Sequence, residues 1–210
     1  MSLLLLAASG LAREVLPVCA ALGIDVAGVL DDRTELRGTE VAGIPVLGGI
    51  DAAADLPEAQ LLICAGKGSS RRQIAGRLAA LGVEDQRYAS VIDPSVRIPS
   101  RCRVGTGSIL LAHTALTADV TLGRHVVIMP GCVVTHDVCL ADYVTLTAGV
   151  SLAGGVRVGE AAYLGMNSSV REGRTIGAGA TIGMAAAVLQ DVPEDAIWAG
   201  VPARPLTDKE

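Results

Sequence analysis

The chain has 210 residues, half of them apolar, yet it contains no Phe, one Trp and three Tyr. Its net charge of −5 argues against a broad basic face for nucleic acid. The opening LLLL run is far too short to span a membrane and lacks the basic flank of a signal peptide. Five cysteines, at 19, 64, 102, 132 and 139, form no CxxC pair. They read as small buried residues in a reducing, cytoplasmic setting, not as a disulfide or zinc framework, and no metal site is expected.

Residues 1–88 alternate strand and helix patterns. LLLLAA reads as a buried strand, ASGLA as a turn and REVLPVCAALG as an amphipathic helix. DVAGVLDD is a second strand, LLICAGKG a third strand with its loop, and SSRRQIAGRLAALG a second helix. Such alternation implies a parallel sheet with helical crossovers, here three strands. Pro17 predicts a kink or a late start for the first helix. The turn A-A-S-G-L-A is a reduced form of G-x-G-x-x-G, with Ala7 at the first glycine position. Gly10 still permits close backbone approach, and a helix N-terminus suits a phosphate. Asp31 follows Gly10 by 21 residues, a spacing typical of a ribose-binding acid. The unit is half of a dinucleotide fold, which suits a mononucleotide such as the diphosphate of an activated sugar better than NAD.

From Ile92 the pattern changes. An aliphatic residue returns at every sixth position without a miss, from Ile92, Ile98 and Val104 through to Ile182 and Val188. Glycine often follows it, at 105, 123, 159, 165, 177 and 183, and the position four after it is mostly small or β-branched. Six-residue repeats signal a parallel β-helix. Each hexad makes one short strand and one corner, three hexads make one triangular coil, and residues 18 apart stack at about 4.8 Å, the strand spacing. So narrow a prism has no room for aromatics, which accounts for the composition. Arg174 occupies an inward position, so the coil is expected to be distorted or open to solvent there.

These features together resemble the PglD/NeuD family of sugar acetyltransferases, within the hexapeptide-repeat acyltransferases. The resemblance runs through ASGLAREV, VLDD, ICAGKG, VVTHDV, LAGGVRVG, YLGMNSSV and WAGVPARPL, in that order over nearly the whole chain. It implies an α/β half-Rossmann-like N-terminal domain (1–88), a left-handed parallel β-helix (89–192) and a C-terminal tail (193–210). The resemblance also implies a homotrimer, with acetyl-CoA as co-substrate in the groove between prisms and a nucleotide-sugar as acceptor.

His136 is the third residue of the hexad that begins at Val134, which puts it at a corner and outside the bore. Histidine suits removal of the acceptor's proton during acetyl transfer, and the adjacent Asp137 could orient the ring, though sequence alone does not decide whether its carboxylate reaches the ring nitrogen. Eighteen residues on, Gly154 lies one coil away, where its amide can meet a thioester oxyanion. Ala148, Met166 and Met184 form a column at a different corner and offer an apolar strip for a pantetheine arm. The resemblance implies His136 as general base and Asp137 as its partner. It implies Thr145, Gly154, Met166 and Met184 as acetyl-CoA contacts, and Ser9, Gly10, Leu11, Asp31, Asp32 and Gly66 as nucleotide-sugar contacts. Leu11 and Thr145 each replace a histidine common in the family. His113 and His125 lie on other faces and receive no role.

Competing readings are weaker. A metal-dependent β-helix enzyme needs converging histidines, and these three fall on different faces. Cys139 is three residues from His136, a spacing that does not bring side chains together along a strand. A sugar-joining transferase lacks a DxD site. The expected function is direct acetyl transfer to the amino group of a nucleotide-activated amino sugar. The alternatives are O-acetylation of a sialic-acid-like sugar and an inactive nucleotide-sugar-binding scaffold.

Overall fold

A computed structural model describes residues 2–206. Two bodies share one continuous surface. In the first, β1 (Leu3–Leu6) belongs to a five-stranded sheet. α1 (Gly10–Leu22) crosses to β2 (Val26–Leu30). A hairpin follows, β3 (Glu40–Val41) and β4 (Ile44–Gly48). Last come β5 (Gln60–Ile63) and α2 (Gly68–Ala80). The strand order is β3-β4-β2-β1-β5. The expected three strands are therefore five. β4 pairs parallel to β2, and β3 antiparallel to β4. The turn Ala42–Gly43 has positive φ at both residues, a hairpin geometry that sequence reading associates with Asn-Gly and overlooks in Ala-Gly. α1 begins at Gly10 and continues through Pro17, so the late start is not observed. Ser9 caps it by accepting the Ala12 N–H, and Gly23 closes it in the left-handed region.

Because β2 lies on one side of β1 and β5 on the other, the chain reverses direction of winding at β1. In open α/β sheets ligands bind at that switch point, beyond the C-terminal strand ends. Here those ends carry Ala7 to Ser9 and Cys64 to Gly66.

The second body is a three-sided prism of two-residue parallel strands, the left-handed β-helix. Registers are 18 apart, as in Thr121↔Cys139 and Val133↔Ser151, until the last coil, where Thr181↔Ile197 shortens the step to 16. Its front face runs from Val91–Ile92 through Thr145–Leu146 to Ile197–Ala199. A second face runs from Arg103–Val104 to Thr175–Ile176, and a third from Ala115–Leu116 to Ala187–Val188. The bore is filled by the sixth-position aliphatics and the small residues two before each, such as Val144, Leu146, Val150 and Leu152. Corners turn through left-handed residues such as Asp119, Asp137 and Tyr143. The segment from 193, expected as a tail, contains Ile197–Ala199, which extends the front face beside Thr181–Ile182.

Arg174 does not distort the coil. Its carbonyl accepts the Arg157 N–H at 2.9 Å, so the ladder is intact. Its side chain leaves the bore for Asp191, 3.6 Å away.

The α/β body sits on the front face. Outward residues Ile109, Leu111 and Val127 are buried against the cluster that includes Leu11, Val15 and Val18. At the corner between the second and front faces, Gly68 abuts the prism: an added Cβ would lie 2.1 Å from the Tyr143 carbonyl oxygen. His125 is buried there, stacked on Tyr143 at 5.2 Å and edge-on to Tyr88 at 4.6 Å. Burial, reinforced by Arg124 and Arg71, pushes its pKa down to about 4. The unfolded chain protonates this imidazole below about 6.5, whereas the fold keeps it neutral to about 4. Its contribution to stability is thus complete above about 6.5 and is lost as the pH falls toward 4. His125→Asn, which tolerates the positive φ at this position, should flatten that part of the stability–pH curve in denaturant titrations. An unchanged slope would assign the pH dependence to other groups.

Candidate active site

The corner between the third and second faces stacks Ala118, His136, Gly154 and Glu172. Successive coils are linked by Asp137 N–H to Ala118 C=O (3.0 Å), Gly155 N–H to His136 C=O (2.9 Å) and Gly173 N–H to Gly154 C=O (2.9 Å). Gly154 lies directly against the His136 ring: an added Cβ would be 2.3 Å from Cε1 and 2.5 Å from Nε2. The Gly154 N–H donates to no protein acceptor among the described residues. His136 Nδ1 is 2.8 Å from Asp137 Oδ2. A carboxylate at Nδ1 holds the proton there and leaves the Nε2 lone pair available as a base. Asp137 takes the left-handed corner conformation, with φ of 61°, which aspartate adopts more readily than most residues. Both side chains are about two-thirds exposed.

At the corner between the front and third faces, Ala148, Met166 and Met184 form one column, linked through Asn167 N–H to Ala148 C=O and Ala185 N–H to Met166 C=O. Met166 and Met184 are exposed apolar residues. Ala148 and Met166 share a cavity of about 600 Å³ with Glu14, Pro17 and Val18 of α1.

A larger cavity of about 1020 Å³ opens at the switch point, lined by Ala7, Ser9, Gly66 and Lys67 on one side and by Glu160, Tyr163 and Asp195 of the prism on the other. Ser9 and Gly66 of the expected acceptor set therefore border one space. Gly10 begins α1 beside them. Leu11 is instead a core residue, buried with Val15 and Val18. Asp31 is buried and fully engaged: Oδ2 accepts from Ala8 N–H (2.7 Å) and Arg33 Nη2 (3.1 Å), Oδ1 from Arg33 N–H and Nε (both 2.9 Å). Burial opposes its charge, but Arg33 and these amides outweigh that and hold its carboxyl below the usual carboxylate range. Asp32 is held low chiefly by Arg77, which donates to it at 2.8 and 3.1 Å.

Thr145, expected as an acetyl-CoA contact, faces the α/β body. It is buried, its Oγ1 donating to Gly66 C=O (2.9 Å) and accepting from Arg71 Nη2 (3.0 Å). It belongs to the junction of the two bodies, because the front-face position it occupies is covered by the 65–67 loop. Sequence reading missed Arg71 altogether. The available signal was its place in α2, on the same stripe as Ala75 and Leu78, the buried face of the helix.

Among the described residues no group of three or more His, Cys, Asp or Glu is arranged to hold a metal ion. Cys19, Cys64, Cys102 and Cys132 are buried and Cys139 is half-buried.

The His136 ring over the Gly154 amide makes a testable unit. Gly154→Ala must displace the ring, and misplacement on the ångström scale costs about 10²-fold in rate. We expect that loss in kcat with an unchanged melting temperature; a wild-type kcat would show that the contact is immaterial.

The PglD N-terminal domain family matches residues 2–78. No curated protein matches the chain. Among solved structures, a histidine-to-alanine mutant of GDP-perosamine N-acetyltransferase from Caulobacter crescentus, in complex with CoA and GDP-perosamine, superposes with a TM-score of 0.92. It is 30% identical over 99% of this chain and 98% of its own. The acetyltransferase domain of PglB from Neisseria gonorrhoeae, in complex with acetyl coenzyme A, gives 0.88 at 32% identity over 98% of each chain. WeeI from Acinetobacter baumannii shares the fold, with a TM-score of 0.68 at 23% identity over 98% of this chain and 100% of its own. An α/β domain leading into a hexapeptide prism, matched end to end at this identity, places the chain in the PglD-like family of hexapeptide-repeat sugar acetyltransferases.

Proposed function

We propose that the protein transfers the acetyl group of acetyl-CoA directly to the amino group of a nucleotide-activated amino sugar. The observation that carries this reading is the exposed imidazole of His136, paired through Nδ1 with Asp137 and seated on an unoccupied Gly154 amide. The relatives solved with CoA and GDP-perosamine include two mutants of one histidine, which supports a histidine in the chemistry. The neutral amine attacks the thioester carbonyl carbon as His136 Nε2 takes its proton. The developing oxyanion accepts the Gly154 N–H. The tetrahedral adduct then collapses, the C–S bond breaks, and the CoA thiolate leaves and recovers the proton from the imidazolium. Asp137 keeps the ring in the required tautomer and stabilises its protonated form.

The domain boundaries fit this division of labour: 1–88 holds the acceptor, 89–192 supplies the chemistry, and Ile197–Ala199 extends the prism. Ser9, Gly10 and Gly66 border the acceptor space, with Asp32 at the neighbouring strand end. Asp31 shapes that space from within, since Arg33 and backbone amides already occupy its oxygens. Met166 and Met184 offer an apolar strip to the pantetheine arm, next to Gly154 of another copy. The acceptor cavity opens along the front face and its corner with the second face, whereas His136 stands at the corner opposite the front face. One prism thus separates the two, and a reacting pair needs groups from different copies, which supports a closed homotrimer. Five free cysteines fit a reducing compartment, and the cytoplasm is the proposed location.

His136→Ala should lower kcat by about 10²–10⁴ without changing the melting temperature, and a near-wild-type rate would exclude the base. Asp137→Asn should lower kcat less than His136→Ala does, at an unchanged melting temperature; a wild-type kcat would remove its role. Co-expressed with Met184→Glu, itself impaired, His136→Ala should regain activity approaching about a quarter of wild type, the share of intact sites under random assortment. No recovery would confine the site to one chain.

A further inference from the structure

Arg71 is completely buried and every one of its acceptors is uncharged. Nε donates to His125 C=O (2.9 Å), and Nη1 to Ala65 C=O (2.9 Å) and Gly66 C=O (3.0 Å). Nη2 donates to Tyr143 C=O (2.7 Å), Val144 C=O (3.0 Å) and Thr145 Oγ1 (3.0 Å). Burial lowers its pKa to about 10, which leaves it charged at neutral pH. A buried cation is normally paired with an anion, because desolvating a lone charge is costly. Here five carbonyl dipoles and one hydroxyl take its hydrogen bonds.

The placement of those dipoles is informative. Three acceptors belong to the prism backbone, one is the Thr145 hydroxyl, and two are consecutive carbonyls of the 65–67 loop that borders the 1020 Å³ cavity. Gly66 C=O is held twice, by Arg71 and by Thr145 Oγ1. In a trans peptide the N–H points opposite to the C=O. With the Ala65 and Gly66 carbonyls drawn to the guanidinium, the N–H groups of Gly66 and Lys67 are turned away from it, toward the cavity side. Neither N–H donates to a protein acceptor among the described residues. Successive free amides with a positive charge behind them suit an anionic group.

We infer that Arg71 is a positioning residue for the acceptor: it clamps the 65–67 loop to the prism so that the Gly66 and Lys67 amides receive the diphosphate of the nucleotide-sugar, whose negative charge offsets the buried guanidinium. This deepens the proposed function and rests on it. Arg71 touches no substrate in this account. It acts through the loop, and Thr145 shares the task by holding the same carbonyl.

Calorimetric titration of GDP, UDP and CoA into the intact protein tests the inference. Wild type binds one nucleoside diphosphate and CoA. Arg71→Lys keeps the charge but cannot gather both loop carbonyls and the prism carbonyls at once. It should weaken nucleotide binding, and raise KM for the nucleotide-sugar, by about tenfold or more, while the CoA affinity stays at the wild-type value and kcat changes far less than KM. A folded Arg71→Lys with wild-type nucleotide affinity overturns the inference, and so does parallel loss of nucleotide and CoA binding, which marks a purely structural role. If Arg71→Lys does not fold, Thr145→Val decides. Nucleotide binding weakened about threefold or more, with Thr145→Ser restoring it, supports the clamp; unchanged affinity overturns it. A wild type that binds neither GDP nor UDP overturns the proposed function and this inference with it, whereas unchanged nucleotide affinity in a folded variant overturns the clamp alone.

Discussion

Vertical register in the prism governs everything else in the molecule. Each strand contributes two residues to a face, and its hydrogen bonds run to the coils eighteen residues before and after it, as in Val133↔Ala115 and Val133↔Ser151. No single hexad is stable alone, since two residues of strand bury little and leave most backbone groups unpaired. Stacking supplies both the apolar bore and the hydrogen-bond ladder. The same stacking converts a sequence separation into a spatial one, so that a side chain at a corner always has a known neighbour above and below. His136 has Ala118 on one side and Gly154 on the other. Two small neighbours leave the imidazole unobstructed, and the ring sits so closely on Gly154 that any added side chain would displace it.

The prism is rigid and repetitive, so specificity has to come from what is attached to it. The α/β body covers the upper front face, where outward residues are apolar, Ile109 and Val127. Lower on the same face they become Tyr163 and Thr181, which line the open cavity instead. Between the two zones lies Thr145, buried under the loop that follows β5. The Arg71 guanidinium occupies that boundary and bonds to both bodies. One buried cation thus ties the prism backbone to the 65–67 loop of the α/β body.

Much of this was legible in the sequence. The six-residue period fixed the coil, and the eighteen-residue rule located Gly154 against His136 and set the Met column apart from it. Strand–helix alternation identified the N-terminal body. What escaped were features set by tertiary context. The Ala42–Gly43 hairpin lacks the residues that usually mark such turns, so β3 and β4 went unseen. Arg174 occupies an inward position, but a long side chain can leave the bore where Asp191 waits outside it. Thr145 was assigned by analogy of position, and only the docking of the loop shows that its hydroxyl faces Gly66. Asp31 stands at the spacing of a ribose ligand, while its oxygens are taken by Arg33, a partner two residues away whose direction no spacing rule predicts.

The most direct test of the account is a crystal structure of the protein with a non-transferable acetyl-CoA analogue and an amino-sugar nucleotide bound together. The account predicts the analogue's carbonyl oxygen at hydrogen-bond distance, about 3 Å, from the Gly154 N–H, with the sugar amine equally close to Nε2 of the His136 above it and the nucleotide held by another copy. A carbonyl bound away from Gly154, or an amine out of reach of every His136, would contradict it.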